Sequence, residues 1–260
     1  MADDAGLRHV PSGTGMGLQP RRAGLIARGR LAAAQAAANS NYEQGVRDYA
    51  AGRAEAAAAN FRTAAEQGHA ESQYLLSTLY DAADGVPRDN AAAALWERRA
   101  AEQGHAYAQA NLSFRHYEAE EFAEAFEWCQ RAAHSQLPWA QFNVGLMYRR
   151  GEGVEQNDAE AARWYRLAAD QDFAEAEGKL ADLYCMGRGV PLSYELAATW
   201  YGKAARHGHA EAQFQLAQLY ATGQGVEPDY VQSRHWMRQA ALQGHEQAAR
   251  ELRARGYRDP

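Results

Sequence analysis

A four-residue pattern returns along this chain at a fixed step. "GEGV" stands at Gly151–Val154, "GRGV" at Gly187–Val190 and "GQGV" at Gly223–Val226, each 36 residues after the one before. "DGV" at Asp84–Val86 is a degraded copy, with Ala83 in place of the first glycine. A repeat at this period constrains the fold more than any single motif. Each unit is one supersecondary element that cannot bury its apolar face alone, so the units must stack.

The repeat also decides what the glycines do. Alone, Gly223-Gln224-Gly225 looks like the start of a phosphate-cradling loop. Such a loop follows a buried strand rich in β-branched residues and opens a helix. The residues upstream, "HAEAQFQLAQLYAT", instead place Ala212, Leu216 and Tyr220 at helical spacing, and the chain has no Gly-Lys-Ser/Thr. The glycine pair is therefore read as a corner between two helices, where positive φ costs glycine nothing. Val226 is the apolar peg that fixes the corner.

His209–Gly244 serves as the reference unit. Phe173–Gly208, Leu137–Asp172 and His69–Gly104 align with it over 36 residues. His105–Gln136 aligns over 32 because it lacks the corner, and a weaker copy spans about Tyr42–Gly68. Trp96, Trp128, Trp164, Trp200 and Trp236 share one register, and each unit closes on an "AA..G"-like signal such as "AAEQG" at Ala64 or "AALQG" at Ala240. In the first helix of each unit a small residue (Ser77, Ser113, Gly145, Ala181, Ala217) allows close helix approach. The second helix opens at Asp89, Asn157, Ser193 or Asp229, all good N-caps. The closing glycine is suited to a left-handed C-cap.

These residues resemble the Sel-one-like repeat family, a relative of the tetratricopeptide repeats. The A-x-x-x-L-G/A-x-x-Y first helix, G-x-G-V corner, capping Asp, Trp-bearing second helix and A-A-x-x-G end carry the resemblance over about residues 42–250. It implies an all-α, right-handed superhelical α/α solenoid of helix-turn-helix repeats with a concave groove, and action through protein contacts. The expected organisation is a flexible Gly/Ala/Arg-rich segment over 1–38, a solenoid over 39–244, and a capping helix with its tail over 245–260. The six units run 39–68, 69–104, 105–136, 137–172, 173–208 and 209–244. Within the first segment "GTGMG" at Gly13–Gly17 has no helix or strand pattern around it, whereas Leu31–Ala38 is helical on propensity alone. The segment is expected to be dispensable for folding.

Charge and composition narrow the function. Acidic residues exceed basic ones by six, which argues against nucleic acid as the partner. No run of 18 apolar residues occurs, so no membrane insertion is expected. The apolar stretch of "AGLIARGRLAAAQAAA" is broken by Arg28 and Arg30, so a cytoplasmic location is expected, with export as the alternative. Some members of the resembled family carry a disulfide in every repeat, and enzymatic activity has been proposed for them. Cys129 and Cys185 lie in different units and cannot supply that pattern, so they are read as structural thiols. His69, His105, His209 and His245 each begin a first helix and are read as boundary residues. His207-Gly208-His209 offers two metal ligands, too few for a closed site. No catalytic constellation, cofactor site or metal site is expected.

The partner is expected to be a protein or peptide held in the concave groove. Core residues take positions 4, 8, 9 and 12 of each unit, so positions 3, 6, 10 and 13 should face the groove. The third unit contributes Tyr107, Phe114 and Tyr117 there, and the fourth Trp139, Phe142, Leu146 and Arg149. Tyr107, Phe114, Trp139 and Phe142 are expected to form a contiguous aromatic floor. Glu175, Asp182 and Glu211 in the later units are expected to orient a basic peptide. The function this supports is a non-catalytic adaptor or regulatory subunit. The alternatives are an immunity or inhibitor protein that neutralises a toxin and a hydrolase-type enzyme.

Overall fold

The computed structural model describes residues 20–254. Among them are thirteen helices and no strand. They run α1 (Pro20–Ala50), α2 (Ala54–Glu66), α3 (Ala70–Ala82), α4 (Asn90–Glu102), α5 (Ala106–Glu118), α6 (Phe122–His134) and α7 (Pro138–Arg150). Then follow α8 (Asp158–Ala169), α9 (Ala174–Met186), α10 (Tyr194–Arg206), α11 (Ala210–Thr222), α12 (Tyr230–Leu242) and α13 (Glu246–Ala254). Each helix packs on its neighbours in the chain, α1 on α2, α2 on α3 and so on to α13. This is the nearest-neighbour pattern of a helical-repeat solenoid.

The N-terminal segment differs from expectation. "GTGMG" at Gly13–Gly17 lies outside the described residues, but helix begins at Pro20, well inside the segment read as flexible. The alanine-rich run explains this locally, since alanine is the best helix former. From Leu31 to Ala37 the side chains are exposed, and Ala38 is the first buried one.

The helix starts follow their capping residues. Asp89, Asn157 and Asp229 each accept two backbone N–H bonds, and Ser193 accepts one from Leu196. The four boundary histidines do the same for the first helices. Nδ1 of His69, His105, His209 and His245 accepts from the backbone N–H three residues on. In His105 and His245 the other ring nitrogen then reaches back to the previous unit, to Glu71 at 3.0 Å and Glu211 at 2.9 Å.

Three further contacts join the units. An aromatic ring at position 6 packs on the first residue of the next unit, stacked in Tyr74 on His105 (4.4 Å between centroids) and Phe214 on His245 (4.6 Å) and tilted in Phe142 on Phe173 (5.4 Å). A glutamine at position 5 donates to a carbonyl of the previous unit's second helix, Gln73 to Ala65, Gln109 to Ala101 and Gln213 to Ala205, each at 3.0 Å. The corner supplies the last. Gly223 and Gly225 both have positive φ, as the helix-to-helix reversal requires. The second glycine also lies directly on the backbone carbonyl of the residue that opens the previous unit's second helix. Gly225 abuts Tyr194 in this way, and Gly85, Gly153 and Gly189 abut Ala54, Phe122 and Asp158. A Cβ there would overlap the carbonyl group.

Gly225→Val therefore forces a β-branched residue into a left-handed conformation and into the backbone of α10. The positive φ alone should cost about 1–3 kcal/mol. Urea denaturation should show a loss at least that large. A variant as stable as the wild type would mean that the corner moves freely off the preceding repeat.

Candidate functional site

A cleft of about 460 Å³ opens between α5, α6 and α7. Ala110 is one of the small residues that line it. Position 6 carries the ring that fills the junction in the second, fourth and sixth units, but in the third unit it is Ala110. Ala110, Ser113, Cys129, Ala132, Ala140 and Met147 form a largely apolar floor. Phe114, Tyr117, Trp139 and Leu146 stand around it, with the amides of Asn111 and Asn143.

One end of the cleft is polar. The Tyr117 hydroxyl donates to Glu152 at 3.1 Å, and Arg150 lies 3.3 Å from that hydroxyl and 3.6 Å from the Glu152 carboxylate. Asn111 is held by donating to the buried Glu97 at 2.9 Å, while Arg115 pairs with the other Glu97 oxygen at 3.0 Å. Burial raises the Glu97 carboxyl above its usual range, against the hydrogen bond from Asn111 and the charge of Arg115. The Cys129 thiol on the floor is pushed up to about 11 by burial. It is a small apolar wall rather than a nucleophile at neutral pH.

The predicted groove residues separate into three groups. Phe114, Tyr117, Trp139 and Leu146 come together at the cleft. Phe114 is 63% exposed, and Trp139 is half-buried against the core of the third and fourth units. Tyr107 is 51% exposed and does not line the cleft; it is stacked on Trp139 at 6.4 Å and on Tyr74 at 6.2 Å. Phe142 does not join them. Its ring packs against Tyr165 at 5.6 Å and Phe173 at 5.4 Å, in the junction between the fourth and fifth units. Of the four rings expected to form a floor, Phe114 and Trp139 line the cleft, Tyr107 stacks on Trp139, and Phe142 is spent on the stack of repeats. Arg149 is half-buried, with one guanidinium nitrogen enclosed.

The acidic positions are also largely engaged within the chain. Glu211 pairs with His245, and Asp182 accepts from Tyr201 at 2.6 Å and Lys179 at 3.3 Å. Burial alone would raise the Glu211 carboxyl. Bonds from Gln215 and His245 outweigh it and hold the group below the usual carboxylate range. Glu175 remains exposed. Position 3 also follows the residue that opens the next unit. It is Glu in the second and sixth units, which precede His105 and His245, and Tyr107 or Trp139 where Leu137 or Phe173 comes next.

Asn143, Met147, Arg150 and Glu152 were not singled out from the sequence, and Cys129 was read there only as a structural thiol. Their signal was present in the alignment of units, as an alanine where three other units place a ring. The two cysteines are free. No helix among the described residues is long and apolar enough to cross a membrane.

Comparison with known proteins agrees with this repeat geometry. The Sel1 repeat matches at residues 70–105, 106–136, 140–173, 174–209 and 210–245. The chain belongs to the Sel1 repeat family. Sel1 repeats typically mediate protein–protein interaction. Among solved structures, a protective antigen of uropathogenic Escherichia coli strains that displays an SLR fold is 34% identical, with a TM-score of 0.75 over 81% of this chain and 47% of that one. The chain thus spans about half the length of that antigen. A Sel1 repeat protein from Oxalobacter formigenes is 31% identical, with a TM-score of 0.72 over 77% of this chain and 84% of that one. No curated protein matches the chain.

The division between junction and cleft rings can be measured. Phe142→Ala should destabilise the fold by about 1–3 kcal/mol, and Phe114→Ala should stay within about 0.5 kcal/mol of wild type. Parallel chemical denaturation of the two variants checks this. Equal losses would place both rings in the packing of the stack.

Proposed function

We propose that this Sel1 repeat chain is a non-catalytic adaptor that captures a protein or peptide partner through the cleft between its third and fourth repeats. The observation that carries the reading is the cleft itself, an apolar hollow bordered by the exposed Phe114 and the half-buried Trp139 and closed at one end by Tyr117, Arg150 and Glu152. Its chemistry suits an apolar side chain set into the hollow, with the flanking backbone hydrogen-bonded by Asn111 or Asn143. Exposed rings beside a pocket are the usual anchors of such contacts, because they bury much area for little side-chain entropy. The non-catalytic reading draws support from the same residues. Cys129 is held as a thiol, and the boundary histidines are occupied as helix caps.

The acidic groove expected along the C-terminal repeats contributes less to this reading, because Asp182 and Glu211 already have partners within the chain. The partner is accordingly proposed to be apolar at its anchor rather than strongly basic.

Display selection of random peptides on the immobilised chain tests the proposal. Selected peptides should share an apolar anchor and bind the wild type in solution. Phe114→Ala should weaken them at least about tenfold, or 1.4 kcal/mol. Trp139→Ala should act the same way at some cost in stability. Peptides that bind Phe114→Ala at full strength would place the binding surface elsewhere on the solenoid.

A further inference from the structure

Three departures from the repeat pattern meet at one point of the fold. The first is Asp172, at the close of the fourth repeat. It holds φ of 61°, where four other units use Gly68, Gly104, Gly208 or Gly244. A left-handed backbone is a strained choice for any residue other than glycine, although aspartate tolerates it better than most. The second is Glu177, which replaces the position-5 glutamine present in the second, third, fourth and sixth units. The third is His207, which stands where the second, fourth and sixth units have Gln103, Gln171 and Gln243.

In those units the two glutamines form a ladder across the junction. Gln103 donates to Gln73 at 2.6 Å, Gln171 to Gln141 at 2.8 Å and Gln243 to Gln213 at 2.8 Å. The position-5 amide passes a hydrogen bond on to the preceding helix in the units of Gln73 and Gln213. A carboxylate has no proton for that bond. The Glu177 side chain is 0% exposed, yet its Oε1 is buried with no hydrogen-bond partner, while Oε2 meets His207 Nδ1 at 2.9 Å. An unmatched buried carboxylate oxygen is costly unless a cation or donor reaches it. The exchange of both glutamines together, with an aspartate brought in by an unfavourable backbone, gives the site a different set of ligands.

We propose that Asp172, Glu177 and His207 bind one divalent transition-metal ion, with Zn²⁺ the best fit. One ligand atom from each residue lies within 4.8 Å of the others, so small side-chain shifts close the site around an ion. One imidazole nitrogen with two carboxylates is a mixed N/O set suited to zinc. Three protein ligands leave a position for water on the exposed side, where His207 is 37% exposed. The two carboxylates balance the ion's charge. Binding replaces the contact between His207 Nδ1 and Glu177 with bonds from both to the ion. The ion ties the end of the fourth repeat to both helices of the fifth, in place of the glutamine ladder. His209, next to the site in sequence, is not a ligand because its Nδ1 caps α11. This proposal is independent of the cleft and its partner.

The test uses the full chain, dialysed against chelator and then titrated with zinc chloride by calorimetry, with the melting temperature followed in parallel. The expected result is one ion per chain and a rise in melting temperature with zinc, since a ligand of the folded state alone stabilises it. Glu177→Gln, His207→Gln and Asp172→Gly each restore the residue that other repeats use, so their metal-free folds should be at least as stable as wild type. Each should weaken zinc binding at least about tenfold and abolish most of the thermal shift. Absence of binding at millimolar zinc, cobalt or manganese would overturn the proposal. So would full-strength binding in Glu177→Gln and His207→Gln, which would locate the ion at other surface histidines.

Discussion

Every junction except that between the second and third repeats rests on the contact between the second corner glycine of one repeat and the first peptide of the preceding repeat's second helix. At Gly153 and Gly225 this contact leaves no room for a side chain. It does two jobs at once. The positive φ reverses the chain from the first helix to the second, and the missing Cβ lets the reversal rest on Phe122 or Tyr194. The remaining junction contacts are side-chain versions of the same idea. A ring sits on the residue that opens the next unit, a histidine caps its own helix and reaches back to a glutamate, and a glutamine bridges to the previous helix. Each links only neighbours, so stability is built junction by junction.

The cleft proposed to bind a partner lies where the repeat pattern is left incomplete. The third repeat lacks both the corner and the position-6 ring. Its short turn brings α6 directly after α5, and Ala110 stands where the second, fourth and sixth units carry a ring. The apolar cleft lies here, with Phe114 and Trp139 at its edge. A solenoid can open such a hollow without losing its fold, because the cost falls on one junction alone. The fifth repeat departs in another manner. Its junction keeps the fold but exchanges an amide ladder for two carboxylates and an imidazole.

Much of this was legible in the sequence because it recurs in register. The 36-residue step, the capping Asp, Asn and Ser residues, the corner glycines and the boundary histidines each repeat. A position that repeats without a ligand has a structural reason. Residues whose role crosses from one unit to the next were harder to read. Counting faces within one helix puts Phe142 on the groove side, but its ring is claimed by Phe173, 31 residues further along and at the head of the next unit. Glu211 looks like a free charge until His245 is placed beside it. Ala110 looks unremarkable until its neighbours' rings are seen to fill the junction. The helix over Leu31–Ala38 was legible from propensity alone, but its start at Pro20 was not. Its alanines supply propensity without the periodic apolar face that marks a packed helix.

The central claim is that the repeats are held by nearest-neighbour junctions centred on the corner glycines. Native-state hydrogen exchange on Gly153→Val tests it most directly, since that substitution breaks the junction between the third and fourth repeats. Faster exchange should appear in α5 to α8, on both sides of the damaged corner, while α11 and α12 keep their wild-type protection. Uniform loss of protection along the whole chain, or exchange identical to wild type at α6 and α7, would contradict the account.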